Sequence, residues 1–256
     1  MSSMKTRIEW TDATWNPMTG CTKVSSGCLH CYAETLARTK TRDAYLRQVP
    51  VKDTPAGRGD PFAPRYWESR LEQPLRWREP RRIFVNSMSD VFHAHFSLQM
   101  IYRVFEVMHA AEWHQFQVLT KRPERALRLA DDLPWGPNVW IGTSIESMDV
   151  ARRADALRGI TQASVRFISA EPLLGPLDKL NLTGIDWVIG GGESGAEARR
   201  CDLGWARGLR DLCAEQGAAF FWKQWGGRTS KSGGRDLDGR THDEYPLPHA
   251  VQYSLV

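Results

Sequence analysis

The stretch G-C-T-K-V-S-S-G-C-L-H-C-Y-A, residues 20–33, places Cys21, Cys28 and Cys31 within eleven residues, at the spacing C-x6-C-x2-C. A loop this short can bring the three sulfur atoms close together, as in a shared metal centre. A helix-like run, residues 32–39, follows at once, and unpaired N–H groups at a helix start favour the thiolate that binds metal. Three cysteines are one fewer than an ordinary iron–sulfur cluster or structural zinc site needs, so one ligand position is left open.

The composition is typical of a globular protein, with 41% hydrophobic and 25% charged residues among 256. No apolar run reaches the roughly 18 residues that a membrane-spanning helix needs, and residues 1–20 contain no signal-peptide core. We therefore expect a cytoplasmic protein with no membrane partner and with reduced cysteines. Of the two cysteines outside the loop, Cys213 lies on an amphipathic pattern that indicates a core position, whereas the pattern does not assign Cys201.

Six short apolar runs, rich in β-branched and aromatic residues, alternate with helical patterns from residue 82 onward. They lie at residues 82–86, 115–120, 138–143, 164–169, 187–190 and 219–223. Most lack polar–apolar alternation, which indicates strands buried on both faces. Helical spacing follows Ser97, Pro123 and Asp149 and recurs between Trp205 and Cys213. This order predicts an α/β fold, a (β/α) TIM-like or partial barrel of parallel strands with the cysteine loop at its carboxyl-terminal rim.

We expect one barrel-type domain over residues 1–256, with two irregular segments. Residues 41–81 are rich in proline and arginine, which predicts a basic insertion with at most a short helix at residues 66–72. Residues 226–256 form a polar, glycine-rich tail that we expect to pack on the barrel, with a hairpin turn at Asp238-Gly239. A mobile tail is the alternative.

Polar residues follow each predicted strand on its carboxyl-terminal side, where parallel α/β folds bind ligands. The six polar sets begin at Asn86, Thr120, Gly142, Ser169, Gly190 and Lys223. Six sets in register predict a lined pocket, although helix capping by serine and aspartate explains some of them equally well. Because Glu193 would repel a bare phosphate, the glycines before it suit a ribose hydroxyl, an amino group or a carboxylate beside a cation.

Residues 41–82 carry ten basic and six acidic residues, an excess that equals the net charge of +4. Arginines interleaved with tryptophans suit a nucleic-acid backbone with stacked bases. The residues predicted to contact DNA or another nucleic acid are Arg65, Arg76, Trp77, Arg78 and Arg81, together with Lys223. A solvated surface with aromatic anchors would explain the same composition.

Seven motifs resemble the phage Gp37/Gp68-type family, a domain of unassigned function. They are T-W-N-P-x-x-G-C at 14–21, G-C-x-x-C-Y-A at 27–33, N-S-M-S-D at 86–90, L-T-K-R-P at 119–123, S-x-E-P-L at 169–173, G-G-E-S-G at 191–195 and K-Q-W-G at 223–226. The resemblance covers nearly the whole chain, but it implies no particular activity.

The cysteine loop before the first helix of a partial barrel also resembles the radical S-adenosylmethionine enzymes. In that superfamily three cysteines hold a [4Fe–4S] cluster, and the fourth iron binds the amino and carboxylate groups of S-adenosylmethionine. An electron from the cluster then releases a 5′-deoxyadenosyl radical. The spacing differs here, because six residues separate Cys21 from Cys28 rather than three, and His30 stands where an aromatic residue usually precedes the last cysteine.

This second resemblance implies a metal site and a cofactor-binding rim. The metal ligands would be Cys21, Cys28 and Cys31. By position, Asn86, Ser87 and Asp90 would meet the methionine end, Ser144, Glu146 and Glu171 the ribose, and Gly191, Gly192 and Glu193 the adenine side, with Lys121 on the same rim.

Three functions fit these patterns. The first is a radical-type iron–sulfur enzyme that acts on nucleic acid, in DNA repair or modification, and receives electrons from a donor protein. The second is a non-enzymatic iron–sulfur protein, structural or redox-sensing, that binds nucleic acid. The third is a zinc site made of the three clustered cysteines with His30 or Cys201 as the fourth ligand.

Overall fold

The computed structural model describes Thr6 and residues 8–246. The strands are β1 (Ala13–Trp15), β2 (Met18–Thr19), β3 (Arg65–Tyr66), β4 (Arg82–Val85), β5 (Gln115–Thr120), β6 (Val139–Ser144), β7 (Val165–Ala170), β8 (Trp187–Gly191) and β9 (Ala219–Gln224). The helices are α1 (Tyr32–Arg38), α2 (Arg42–Leu46), α3 (Pro55–Gly59), α4 (Glu68–Leu71), α5 (Leu98–Ala110), α6 (Pro123–Leu129), α7 (Arg153–Arg158) and α8 (Leu203–Gln216). Short 3-10 turns lie at Ser26–Cys28, Pro74–Arg76, Ala130–Asp132 and Met148–Val150.

The main sheet has seven parallel strands in the order β1-β4-β5-β6-β7-β8-β9. It curls into a half-barrel with β1 and β9 at its two edges, while β2 and β3 form a separate antiparallel pair. The predicted α/β partial barrel is thus confirmed, and each of the six predicted strands lies within one residue of its predicted bounds. Within the described part of the chain, no helix is long and apolar enough to cross a membrane.

The two faces of the half-barrel bury different side chains. Alternate strand residues such as Val118, Ile141 and Val188 pack in one core with the apolar faces of the helices. The other face carries the aromatic cluster Trp10, Phe84, Trp140, Phe167, Trp187 and Phe221. Four of these rings occupy the first half of their strands and Trp10 precedes β1, so the cluster fills the amino-terminal part of the barrel interior; Phe84 is the third of four residues in β4. The carboxyl-terminal part is left to polar residues.

The segment at residues 41–81 holds more structure than its composition predicts. Its helices α2, α3 and α4 have five residues or fewer, and α4 lies inside the short helix predicted at residues 66–72. Thr54 caps α3 by accepting a hydrogen bond from the Gly57 amide, and Pro55 takes the first helical position, where its missing N–H costs nothing. Because prolines recur through the segment, none of these helices extends further.

The tail covers the outer edge of β9. The Trp222 amide donates to the His242 carbonyl at 2.9 Å, and Phe221 pairs with Asp243 as an antiparallel bridge. Asp238 and Gly239 both have positive φ and reverse the chain between Leu237 and Arg240, which confirms the predicted hairpin turn. A covered edge strand has fewer unpaired backbone groups open to another chain. The predicted tail extends to residue 256, and its residues 247–256 lie outside the described residues.

Candidate functional site

The cysteine loop, residues 21–31, crosses the carboxyl ends of the parallel strands. The residue before it, Gly20, pairs with Ser89 beyond the end of β4, and its amide donates to the Met88 carbonyl at 2.9 Å. Gly20 has a φ of +85°, and a Cβ there would lie 2.3 Å from the Ala63 carbonyl oxygen, so only glycine fits. The loop ends at Cys31, the residue immediately before α1. It therefore lies at the rim where the sequence predicts it.

The first of three polar anchors joins the ends of β4 and β5 to Cys21. The Asp90 carboxylate accepts hydrogen bonds from the Thr120 hydroxyl at 2.7 Å and from Arg122 Nη1 at 2.8 Å. Arg122 Nη2 donates to the Thr22 carbonyl at 3.0 Å, and Nη1 lies 3.5 Å from the Cys21 sulfur. Because Asp90 and Arg122 are both largely buried, the guanidinium is held in one position against the loop.

The second anchor is Glu146, which is completely buried beyond the end of β6. One carboxylate oxygen accepts from the Ser25 hydroxyl and from the Gly27 amide, and the other binds Arg153 at 3.0 Å and Lys121 at 3.7 Å. A Cβ on Gly27 would lie 2.5 Å from that first oxygen. Burial raises the pKa of Glu146, but Lys121, Ser25 and Arg153 outweigh it, so the pKa lies below its ordinary value.

The third anchor follows β8. Glu193 is buried and accepts from the Arg199 amide at 2.9 Å, from Nε at 2.8 Å and from Nη2 at 2.6 Å. Arg199 Nη2 also donates to the Ser26 carbonyl at 3.1 Å, two residues before Cys28. Burial raises the pKa of Glu193, yet the hydrogen bonds and charge of Arg199, with a smaller contribution from His30, bring it below its ordinary value.

These three loop anchors, Asp90–Arg122, Glu146–Arg153 and Glu193–Arg199, follow alternate strands of the sheet. The structure therefore brings most of the predicted rim residues together, but in another role. Asp90, Glu146 and Glu193 hold the cysteine loop, and Lys121 faces Glu146. Sequence reasoning missed Thr22, Ser25, Gly27, Arg153 and Arg199, because no local spacing links them to their carboxylates.

The remaining predicted rim residues lie nearby. Asn86 is buried with a φ of 59°; its Oδ1 accepts from the Met18 amide at 3.3 Å, and its Nδ2 has no partner among the described residues. Ser87 bonds Asn16 at 3.2 Å, and Ser144 is buried with its carbonyl on Arg153. The Gly191 carbonyl and the Gly192 amide are bonded within the protein, to Leu173 and Gln224. Among the described residues of this set, only Asn86 has a buried donor atom without a hydrogen-bond partner.

Glu171 and Lys223 form a fourth ion pair at the ends of β7 and β9. By strand alternation they lie on the same face as Phe167 and Phe221, inside the half-barrel. Both side chains are less than one-fifth exposed. In the described residues neither bonds to the cysteine loop, so this pair remains available to a molecule in the barrel interior.

The three loop thiols are free and partly exposed. Burial raises the pKa of Cys21 to about 11, Asp90 adds to this rise, and Arg122 opposes it. Burial also raises the pKa of Cys31. These two thiols are therefore protonated at neutral pH until a cation takes the place of the proton.

The potential metal ligands at this rim are the three loop thiols and the polar groups around them. In the described part of the chain, no three histidine, cysteine, aspartate or glutamate side chains are placed to hold one metal ion. A zinc ion needs four ligands about 2.0–2.3 Å from one point, and Cys201 is buried in the main core beside Gly192. The same finding applies to Cys21, Cys28 and Cys31: three thiols on one loop suit an iron–sulfur cluster by their donor chemistry, but they are not placed around one metal position here, so the cluster stays a prediction.

The prediction that Arg65 contacts nucleic acid is wrong. The side chain is completely buried, and its nitrogens donate to the carbonyls of Gln48 at 2.8 Å, Ala63 at 2.8 Å and Gly57 at 3.2 Å. Arg65 thus holds the long segment together from inside, and its burial keeps the guanidinium away from a phosphate in solution.

The other basic residues predicted to bind nucleic acid lie at the wrong edge for a shared site. Arg76, Trp77, Arg78 and Arg81 precede β4, so they lie at the amino-terminal edge of the sheet, opposite the cysteine loop. The Trp77 carbonyl accepts from Trp113 Nε1 at 2.8 Å, which ties this segment to the start of β5. Contact between these four residues and nucleic acid stays a prediction. Apart from the buried Arg65, Lys223 is the only residue of the predicted set that lies at the carboxyl-terminal end, among the described residues.

A parallel half-barrel whose carboxyl-terminal rim carries an anchored three-cysteine loop defines the structural class of this protein. Residues 5–246 match the family model described as "Protein of unknown function (DUF5131)", so the chain belongs to that family. That description does not carry the phage Gp37/Gp68 name, which stays a prediction. No curated protein matches the chain.

The fold is similar to that of spore photoproduct lyase. One such structure, complexed with dinucleoside spore photoproduct, gives a TM-score of 0.50 at 13% identity, and a mutant with the same dinucleoside gives 0.51 at 14%. Each match covers 84% of this chain and 64% of the lyase, so this chain spans less than two thirds of the lyase's length. At such identity the similarity shows the fold alone.

Proposed function

We propose that this protein is an iron–sulfur enzyme of the radical S-adenosylmethionine type that acts on nucleic acid. The observation that carries the proposal is the cysteine loop, fastened by three buried carboxylate–arginine anchors to the carboxyl ends of alternate strands. Cys21, Cys28 and Cys31 would hold a [4Fe–4S] cluster. When bound, the cluster with S-adenosylmethionine supplies one-electron chemistry that makes an organic radical.

The chain's own residues would prepare the site for this chemistry. Arg122 places a positive charge 3.5 Å from the Cys21 sulfur, which favours its thiolate. Asn86 Nδ2 would offer a buried hydrogen-bond donor to the carboxylate of a cofactor bound at the same rim. Glu171 and Lys223 would orient the polar edge of a substrate, and the aromatic cluster behind them closes the interior to water from the amino-terminal side.

A nucleic-acid substrate is supported by two observations. The similar lyase structures hold a dinucleoside, and this chain has a net charge of +4. DNA repair or modification is the version that we propose, with an electron-donor protein as a further partner. The five free cysteines suit a reducing compartment such as the cytoplasm.

Anaerobic reconstitution tests the proposal. We expect about four irons per chain with visible absorbance, and cleavage of S-adenosylmethionine after reduction, measured by chromatography. Cys28→Ser should lose the cluster, while Cys213→Ala, which removes a core thiol outside the loop, should keep it. One zinc and no iron would contradict the proposal and leave the zinc alternative.

The second candidate is a non-enzymatic iron–sulfur protein that senses redox state or binds nucleic acid. The observation in its favour is that Asp90, Glu146 and Glu193, at positions implied for cofactor contacts, already bind arginines. A fully loaded cluster that leaves S-adenosylmethionine intact would favour this second candidate.

A further inference from the structure

A cavity of about 230 Å³ lies beside the carboxyl-terminal end of β9, between that strand and the tail. Its walls include Lys223, Ser230, Lys231 and Arg235, with Glu9 as the acidic member. We propose that this cavity binds a backbone phosphate of the nucleic acid. The inference rests on the proposed substrate class and adds the place where that substrate is held.

Charge distribution supports an anionic ligand. Three cations and one carboxylate line the cavity. Lys223 is paired with Glu171 and Arg235 with Asp243, and neither of these two acids lines the cavity in the described residues. The wall of the cavity itself therefore carries three cations and one carboxylate, and a phosphate there would compete with the acids that already pair with these cations.

Two of the cations are fixed and one is free to move. Arg235 lies over the Phe221 ring at 4.8 Å and donates to the Trp222 carbonyl at 3.3 Å, and Lys223 is only 16% exposed. Lys231 is 66% exposed, and its 3.0 Å contact with Glu9 is a surface ion pair of the kind that contributes little. Lys231 can thus exchange Glu9 for a phosphate without loss of folded structure.

The position of the cavity suits the proposed chemistry. Lys223 lines the cavity and also belongs to the Glu171 pair inside the half-barrel. A phosphate at this place would set the adjoining nucleoside at the rim that carries the cysteine loop. The volume accommodates a phosphate with part of its sugar but not a duplex, which favours a single strand or an extruded nucleotide.

The test is the affinity of reconstituted protein for a labelled single-stranded oligonucleotide, measured by fluorescence anisotropy under anaerobic conditions. Lys231→Glu should raise the Kd about tenfold at low salt and reduce the slope of log Kd against log salt by about 1. The matched control is Arg103→Glu, because Arg103 is 41% exposed, forms a similar surface pair with Glu68 and lies on α5, which contributes nothing to the cavity lining. Its Kd should stay within about twofold of wild type, since rim contacts are local.

Three results would overturn the inference: an unchanged Kd for Lys231→Glu, an equal loss for Arg103→Glu, or no binding by the wild-type protein. Inorganic phosphate that displaces the oligonucleotide at equal concentration would show a free-phosphate site instead. Circular dichroism checks that both variants fold. The assay needs no S-adenosylmethionine, so a failure of cofactor cleavage and a failure of this site are read separately.

Discussion

The two edges of the parallel sheet both carry arginines, carboxylates and aromatic rings, but they use them differently. At the carboxyl-terminal edge, Glu146 and Arg153 are almost wholly buried and hold the cysteine loop. At the amino-terminal edge, Arg76 and Glu72 form an ion pair in which both side chains are mostly exposed. A buried pair leaves an uncompensated charge when one partner is removed, whereas an exposed pair is solvated either way. Burial, not composition, therefore separates the candidate site from the surface.

The largest expected effect is that of Glu146→Gln. Loss of this buried charge leaves Arg153 and Lys121 without their counter-ion, so the free energy of unfolding should fall by about 3–5 kcal/mol. Urea unfolding measures the change, and iron content should fall with it. Glu72→Gln at the other edge should stay within about 0.5 kcal/mol of wild type. Equal effects at both edges would contradict the conclusion that burial makes the Glu146 pair more important for stability than the Glu72 pair.

Gly27→Ala should have the next largest effect. The new methyl group would lie 2.5 Å from a Glu146 carboxylate oxygen and displace the loop, at a cost of about 1–3 kcal/mol in unfolding free energy. Gly59→Ala is the matched control, because a Cβ there meets nothing within 4 Å. Urea unfolding and iron content should separate the two variants. Normal iron content in the Gly27 variant would argue against a tightly held loop.

Glu193→Gln should cost about 1–2 kcal/mol at pH 7, because the Arg199 hydrogen bonds lose their charged acceptor. The pKa of Glu193 lies below the ordinary 4.5, so its contribution is complete above pH 4.5 and disappears as the pH falls through the folded value. Unfolding free energies measured at several pH values should therefore converge for variant and wild type in acid. A constant difference across that range would exclude this charge effect.

The smallest expected effect is that of Arg122→Lys on Cys21. A lysine would keep a positive charge beside Asp90. Its single ammonium group lacks the planar fork of the guanidinium, so we expect the contact with the Cys21 sulfur to be lost. The pKa of Cys21, already about 11 in the wild type, should rise further, and alkylation of the metal-free protein at pH 9 should slow a few-fold. Peptide mass spectrometry follows Cys21 separately, with Cys28 as the internal control. A faster reaction would contradict this role of Arg122.

Much of the fold was predictable because its causes are local. Short apolar runs such as residues 115–120 and 219–223 mark strands without further context, and the capping serine before α5 marks a helix start. The helices α2 and α3 escaped prediction because frequent prolines obscure helices of five residues. Arg65 was misassigned because folding of the segment buries its side chain and supplies the carbonyls of Gln48 and Gly57, which are distant in sequence.

The sequence by itself determined the parallel α/β architecture and the three-cysteine loop at its rim, since apolar periodicity and cysteine spacing lie within short stretches of chain. It also indicated that the strand ends would converge, because parallel strands end at one edge. Only the tertiary structure decided that Asp90, Glu146 and Glu193 anchor the loop while Glu171 and Lys223 face the interior. The physical reason is distance along the chain: Arg199 reaches Ser26 across 173 residues, and no local pattern records such a partner.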